Sequence, residues 1–398
     1  MKKNKKLNPN SLCAAETYIP PAQSAHAMPL YATSAFNAGS LEDSIAIFNG
    51  SVPGYVYSRY DNPNARALAD KIAALEGNSD ENSFGFLTSS GMAAIDTAIN
   101  VLVESGSFLI THDGLYGAST ELILLKKAQM NLELIITDFN NLSELESRLS
   151  TKKNNGFIYL ETPSNPLLKC IDIAGVANVC KKYGIRLVVD NTFATPLVQR
   201  PLEKGADIVL HSTTKYIAGH GMSSAGALVC SDSELSKKIE KQIRLSGCFC
   251  SPFEAWLTYH GMKTMGLRLE RQQSNAEAIF RFLKKTPQVD KVYFTGDPDH
   301  PQADLIRSQM NGNVPMISFS LFGDLKKVST FFDKISVIRH ATTLGDLNTL
   351  VLHPDSSSHR NIELETKRKE GITETLIRMS VGIENIDDLV SDLAQALE

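Results

Sequence analysis

The sequence predicts an α/β protein, with a mainly parallel sheet covered by helices on both faces and a smaller α+β domain after it. Three observations support this. Short apolar runs recur between about residues 108 and 229. Helical spacing lies between most of them, the rhythm of βαβ units whose strands are buried on both faces. After about residue 252 that rhythm gives way to one long helical stretch and a few separated strands.

Residues 1–60 hold few periodic segments and several turn-formers, including Pro20-Pro21, Pro29 and Pro53-Gly54, and are expected to form an extended arm. Lys2, Lys3, Lys5 and Lys6 could open a secretory signal, but Asn8, Pro9, Asn10 and Glu16 interrupt any apolar stretch behind them. A solvated tail is the expectation. Residues 61–251 are expected to form the main α/β domain. Asn62-Pro63 starts a helix, with Asn as N-cap and Pro in the first turn. Leu68, Ile72 and Leu75 give its apolar stripe, and Gly77 is placed to end it. Strands follow at Phe108-Leu109-Ile110, Leu134-Ile135-Ile136, Phe157-Ile158-Tyr159-Leu160, Leu187-Val188-Val189-Asp190, Asp207-Ile208-Val209-Leu210 and Ala227-Leu228-Val229. Helical patterns at 142–149 and 176–183 separate some of them. Residues 252–398 are expected to form the smaller domain. It has a helical pattern over 253–283 broken near Gly261 and Gly266, strands over 314–321, 337–340 and 377–381, and a closing helix over 386–397.

At 398 residues the chain can bury a large core, and its 42% hydrophobic and 21% charged content is that of an ordinary globular enzyme. A net charge of −4 gives no electrostatic case for nucleic acid or an anionic membrane. No apolar run approaches membrane-spanning length. The six cysteines, Cys13, Cys170, Cys180, Cys230, Cys248 and Cys250, are scattered. The one close pair, Cys248 and Cys250, fits no common zinc spacing. Reduced, structural thiols in cytoplasm and no metal are the expectation.

The chemistry gathers at the ends of two apolar runs. Asp190 closes one, followed by Asn191 and Thr192. Ser212-Thr213-Thr214-Lys215-Tyr216 closes the next. Open α/β sheets place ligands at the carboxyl ends of their strands. An acid, a hydroxyl cluster and a lysine there suit pyridoxal 5'-phosphate (PLP). The acid holds the pyridine nitrogen protonated, the hydroxyls bind phosphate and the lysine forms the Schiff base. Taken alone, Lys215 reads as a solvated charge and Asp190 as a helix cap; together they read as a site. Gly219-His220-Gly221 follows and permits close backbone approach. Ser89-Ser90-Gly91-Met92-Ala93-Ala94 opens a helix whose exposed N–H groups suit an anion, without the Gly-Lys-Ser/Thr ending of a P-loop. Tyr116, in a glycine-flanked loop, could lie on a cofactor ring. A nicotinamide dehydrogenase is disfavoured, because no G-x-G-x-x-G opens a first βα unit.

These residues carry a resemblance to the Cys/Met-metabolism (transsulfuration) PLP enzymes, which spans nearly the whole chain. The matching motifs are Tyr55-Val56-Tyr57-Ser58-Arg59 with Asn62-Pro63, Ser90-Gly91-Met92-Ala93, Leu115-Tyr116-Gly117, Glu161-Thr162-Pro163-Ser164-Asn165-Pro166, Asp190-Asn191-Thr192-Phe193, Ser212-Thr213-Thr214-Lys215-Tyr216 and Leu376-Ile377-Arg378-Met379-Ser380-Val381-Gly382. The resemblance implies the fold of type I PLP-dependent transferases, with a seven-stranded sheet. It implies that Lys215 carries the Schiff base and then shuttles protons, Asp190 pairs with the pyridine nitrogen, and Tyr116 stacks on the ring and assists as acid or base. Gly91, Met92, Ser212 and Thr214 would hold the phosphate, with Thr192 also at the cofactor. Tyr57 and Arg59 would reach the phosphate in a neighbouring subunit, within a homotetramer of active-site dimers. Arg378 would clamp the substrate α-carboxylate, with Asn165 and Thr343 nearby.

The chain departs from the common pattern in two places. Thr343-Leu344-Gly345-Asp346 stands where many members have Ser-Leu-Gly-Gly, and Thr342 precedes it where cystathionine-handling enzymes often carry glutamate. This form resembles methionine γ-lyases and O-acetylhomoserine sulfhydrylases, yet Ala118 stands where typical methionine γ-lyases have cysteine. The resemblance implies γ-elimination on a sulfur-containing amino acid such as L-methionine or L-cystathionine. γ-Replacement, as in a sulfhydrylase or cystathionine γ-synthase, is the alternative. A PLP-fold binding protein without catalysis is disfavoured by the intact Lys215, Asp190, Tyr116 and Arg378.

Overall fold

The computed structural model describes residues 7–15, 25–77, 83–104, 106–152 and 155–398. The lysine-rich tail, Glu16 and Pro20-Pro21 lie outside the described residues. The larger sheet contains β1 (Phe84–Thr88), β2 (Phe108–Thr111), β3 (Glu133–Ile136), β4 (Phe157–Glu161), β5 (Arg186–Asp190), β6 (Ile208–Ser212) and β7 (Gly226–Cys230). Their order across the sheet is β1-β7-β6-β5-β4-β2-β3. Five of them, β3, β2, β4, β5 and β6, run parallel. β7 runs antiparallel to both its neighbours.

Apolar runs are what two-sided coverage requires of these strands. Leu187, Val188 and Val189 are fully buried, as are Ile208 and Val209. Each such side chain contributes about 1.5–3 kcal/mol by leaving water. The helices Gly91–Leu102 and Ser233–Ser246 cover one face. The helix Ile173–Tyr183 covers part of the other. In register, Glu161 on β4 stands beside Asp190 on β5, which stands beside Leu210 on β6. The polar residues therefore meet along one edge of the sheet, at the carboxyl ends of its strands.

β1 was not expected from the sequence. Its Phe84-Gly85-Phe86 run contains a glycine, which weakens a strand signal. The glycine has a packing reason: a Cβ there would sit 2.2 Å from the Ala69 carbonyl oxygen in the helix Pro63–Glu76. That helix starts and ends where expected, at its Asn62 cap and Gly77.

The smaller sheet contains β8 (Val289–Tyr293), β9 (Met316–Leu321), β10 (Arg339–His340), β11 (Leu350–Leu352) and β12 (Leu376–Ser380), ordered β10-β11-β12-β9-β8. Ile279, Phe280, Phe319, Ile377, Leu389 and Leu393 share its core. The long helical stretch is broken as expected, into Pro252–Met262 and Met265–Leu283.

The expected extended arm needs correcting. It carries two helices, Pro9–Ala14 and Leu41–Phe48. Asn8 caps the first, with Pro9 in its first turn, and Ser40 and Asp43 form a capping box on the second. These are short-range signals that outweigh weak periodicity. The first helix is anchored by the buried Lys71, whose Nζ donates to Cys13 O at 3.2 Å and Ala15 O at 2.7 Å. The second buries no residue and exposes Leu41, Ile45 and Phe48. None of the cysteines forms a disulfide, and among the described residues no helix is long and apolar enough to cross a membrane.

Candidate active site

Asp190 ends β5 half-buried, and Thr192 N donates to its Oδ1 at 2.9 Å. Burial pushes this carboxyl above its ordinary range. Among the described residues it has no ion-pair partner, so a bound cation would relieve it. Thr192 Oγ1 accepts from Ser212 N at 2.8 Å and so ties the ends of β5 and β6 together. Ser212 in turn lies against the start of the helix Gly91–Leu102. A Cβ on Gly91 would come within 2.7 Å of Ser212 Cβ, so glycine is what allows the helix start to approach this closely. Ser90 caps the helix through Ala93 N, leaving the first-turn N–H groups of Gly91 and Met92 without an intrahelical partner, with Ser212 close to Gly91. An anion would be received there. Thr214 differs: its hydroxyl pairs with Ala225, donating to O at 3.2 Å and accepting from N at 3.1 Å.

Lys215 sits in the turn after β6. Its Nζ donates to Thr343 Oγ1 at 3.1 Å. Burial, then the Arg378 charge, lowers it from 10.5 to about 8. With that value about a tenth of the amine is neutral at pH 7, far more than for an exposed lysine. Arg378 is on β12, fully enclosed, and donates from Nη1 to Asn165 Oδ1 at 3.2 Å and from Nη2 to Thr343 O at 3.1 Å. Its Nε is buried with no hydrogen-bond partner. Burial lowers the guanidinium to about 10, which keeps it charged at neutral pH. The structure thus brings Lys215, Thr343, Asn165 and Arg378 into one connected group. An α-carboxylate accepted by Arg378 would satisfy the idle Nε and place an amino acid beside the lysine.

Tyr116 precedes the helix Gly117–Met130 with its ring 42% exposed, open to whatever occupies the site. Its loop is fixed from below. Glu161 accepts from Tyr116 N at 2.8 Å, Ser119 Oγ at 2.7 Å and Tyr159 OH at 2.8 Å. His112 accepts from Glu161 N at 3.1 Å through Nε2 and donates to Asp113 O through Nδ1. This is the neutral ring, in keeping with a value that burial lowers to about 4. In the sequence Glu161 stands only as the first residue of the Glu161–Pro166 motif. The signal was there, since Glu161 closes an apolar strand as Asp190 does.

Burial, then the Asp190 charge, pushes Glu161 up from 4.5 to about 7. Its folded value exceeds its unfolded one. Its contribution to stability is therefore full below about pH 4.5 and fades as pH rises through about 7. Glu161→Gln keeps the shape and removes the charge. Thermal melts of the cofactor-free variant should show a flatter decline between about pH 5 and about pH 8 than wild type. An unchanged slope would assign the decline to another group.

Tyr57 and Arg59 do not join this group within one chain. Arg59 Nη1 donates to Arg244 O at 2.6 Å, and its guanidinium lies 4.9 Å from the Tyr60 ring centre and 5.6 Å from that of Tyr57. The residues do fit PLP: a half-buried acid with no ion-pair partner among the described residues, a half-buried amine and a glycine-opened helix start have the chemistry that a pyridine nitrogen, an aldehyde and a phosphate call for.

The profile of the Cys/Met metabolism PLP-dependent enzyme family matches residues 12–398. The chain is 38% identical over 379 residues to the L-methionine gamma-lyase of Fusobacterium nucleatum subsp. polymorphum, covering 94% of this chain and 93% of that one. It is 36% identical over 373 residues to the O-succinylhomoserine sulfhydrylase of Pseudomonas aeruginosa, covering 94% and 91%. Cystathionine gamma synthase from Xanthomonas oryzae pv. oryzae, crystallised with cystathionine, superposes with a TM-score of 0.92 at 34% identity, covering 99% of this chain and 98% of that one.

Proposed function

Because the chain belongs to the Cys/Met metabolism PLP-dependent enzyme family, we propose that it catalyses γ-elimination on a sulfur-containing L-amino acid such as L-methionine or L-cystathionine. For methionine the balance is methionine and water to 2-oxobutyrate, methanethiol and ammonia. The observation that carries this reading is the junction at Thr343. Its hydroxyl receives the Lys215 amine and its carbonyl receives the Arg378 guanidinium. Base and carboxylate clamp are therefore held at a fixed spacing by one residue, as α-proton removal from an amino acid requires.

PLP is the cofactor. When bound it supplies a carbonyl for the substrate amine and a ring that draws electrons from the α-carbon. Asp190 would hold the proton on the ring nitrogen, and Gly91, Met92, Ser212, Thr214 and Thr192 would hold or border the phosphate end. Arg378 with Asn165 would orient the α-carboxylate. Lys215, partly neutral near pH 7, would take the proton at the α-carbon and return it further along the chain. Tyr116, held by Glu161, would cover the ring and pass a proton to the departing group.

Similarity to a lyase favours elimination. Similarity to a sulfhydrylase and a synthase, together with Ala118, favours γ-replacement as the second reading. The purified PLP-loaded protein would be given L-methionine, L-cystathionine, L-cysteine and O-acetylhomoserine, each with and without a thiol. Release of 2-oxobutyrate without a thiol is expected. Strict dependence on O-acetylhomoserine and sulfide would establish replacement instead.

The assembly proposed is a homotetramer of active-site dimers in the cytoplasm, with residues 1–60 of one chain serving the next. Two features support it. Tyr57 and Arg59 lie away from the Lys215 group of their own chain, and the helix Leu41–Phe48 presents Leu41, 73% exposed, and Phe48, 65% exposed, to solvent. Such a face is costly unless covered. In the same arrangement, residues 61–251 would form the cofactor-binding domain and residues 252–398 the smaller domain.

A further inference from the structure

One face of the helix Met265–Leu283 carries Arg268, Gln272 and Asn275, spaced i, i+4 and i+7, all buried. Residues at that spacing stand in a row. Large polar side chains are rarely buried without strong reason. None of the three forms a salt bridge among the described residues, and each donates to backbone carbonyls. Arg268 donates from Nη1 to Tyr216 O at 2.8 Å and from Nη2 to Ile217 O at 3.2 Å and Gly261 O at 3.1 Å. Gln272 Nε2 donates to Asp346 O at 2.7 Å. Asn275 Nδ2 donates to Gly382 O at 3.0 Å and Glu384 O at 2.9 Å.

Gly261 lies in the preceding helix Pro252–Met262, and the other carbonyls belong to three different loops. Tyr216 and Ile217 follow Lys215 directly. Asp346 lies in the loop that carries Thr343. Gly382 and Glu384 follow β12, which carries Arg378. Two glycines show how closely the loops are drawn in. Gly219 has φ +66°, and a Cβ there would fall 1.9 Å from Arg268 Nη1. Gly345 has φ +75°, and a Cβ would fall 2.6 Å from Tyr216 N.

We propose that Arg268, Gln272 and Asn275 are positioning residues that set Lys215, Thr343 and Arg378 relative to one another from a single helix. Arg268 fixes the turn bearing the amine, Gln272 the loop bearing its hydroxyl partner, and Asn275 the far end of the clamp strand. The proposal rests on Lys215 being the reactive amine of the function given above.

Gln272→Met keeps the length and removes the donor, and Arg268→Lys keeps the charge with fewer donors. Ile279→Val, one turn further along the row and facing the apolar core of the smaller sheet, is the control for loss of packing alone. In cofactor-free protein the pH midpoint of Lys215 labelling by trinitrobenzenesulfonate is read by mass spectrometry. The dissociation constant for PLP is read by absorbance, and thermal midpoints are taken in parallel. Looser loops admit water to the amine. Both stripe variants should therefore raise the labelling midpoint by roughly half to one pH unit and weaken PLP binding about tenfold, with Ile279→Val near wild type. Variants that melt earlier yet keep the wild-type midpoint and dissociation constant would overturn the positioning role, as would an equal shift in Ile279→Val. If one stripe variant fails to fold, the other decides. A wild type that takes up no PLP would sink the function proposed above, while the labelling midpoint would still decide the positioning role.

Discussion

Replacing Lys215 by alanine is expected to lower kcat/KM by about 10⁴-fold or more and to abolish the visible absorbance of the PLP-loaded protein. The size follows from the two duties proposed for one amine, anchoring the cofactor and moving the proton. The side chain is half-buried, held down to about 8 and hydrogen-bonded to Thr343. No other described lysine has been found joined to Thr343 and Arg378, so no obvious substitute stands ready. The variant should keep its fold, because trimming this side chain removes an amine that burial makes costly. Circular dichroism of the variant checks the fold, absorbance checks the cofactor, and 2-oxobutyrate release checks the rate. Rates within tenfold of wild type would exclude Lys215 as the base.

The second large effect is expected at Arg378. Arg378→Leu should raise KM for the amino acid about 100-fold, since a bidentate charge-assisted pair is worth roughly 3 kcal/mol. Arg378→Lys should recover only part of this, because a point charge cannot replace the fork. A second readout is tied to the first. The Arg378 charge helps hold Lys215 down, so its removal should move the rising limb of the rate profile to higher pH. A KM change without that movement would mean that the two groups are not electrostatically coupled.

How much of this was legible beforehand differs from residue to residue. Strands β4, β5 and β6 announce themselves, because burial on both faces leaves no room for polar interruption until the strand ends. Asp190, Ser212 and Lys215 stand out for the same reason. β1 was hidden by Gly85, whose purpose is close contact with the preceding helix, Pro63–Glu76. The helices Pro9–Ala14 and Leu41–Phe48 are too short for periodicity to show, and only their caps could have revealed them. Arg268, Gln272 and Asn275 are residue types common on the solvated face of a helix. Their partners are backbone carbonyls, which leave no mark in a sequence. Glu161 carries the same strand-end signal as Asp190, but its partners at Tyr116 and Ser119 are brought to it only by the fold.

The stripe on the helix Met265–Leu283 grips the three loops by their main chain. Every amino acid offers the same carbonyl, so residues such as Thr342 and Asp346 can be exchanged without changing the groups the helix holds. Substrate preference is in this way free to drift by point substitution while the spacing of amine and guanidinium is inherited intact. A scaffold wired like this can give rise to lyases and sulfhydrylases by rewriting loop side chains alone.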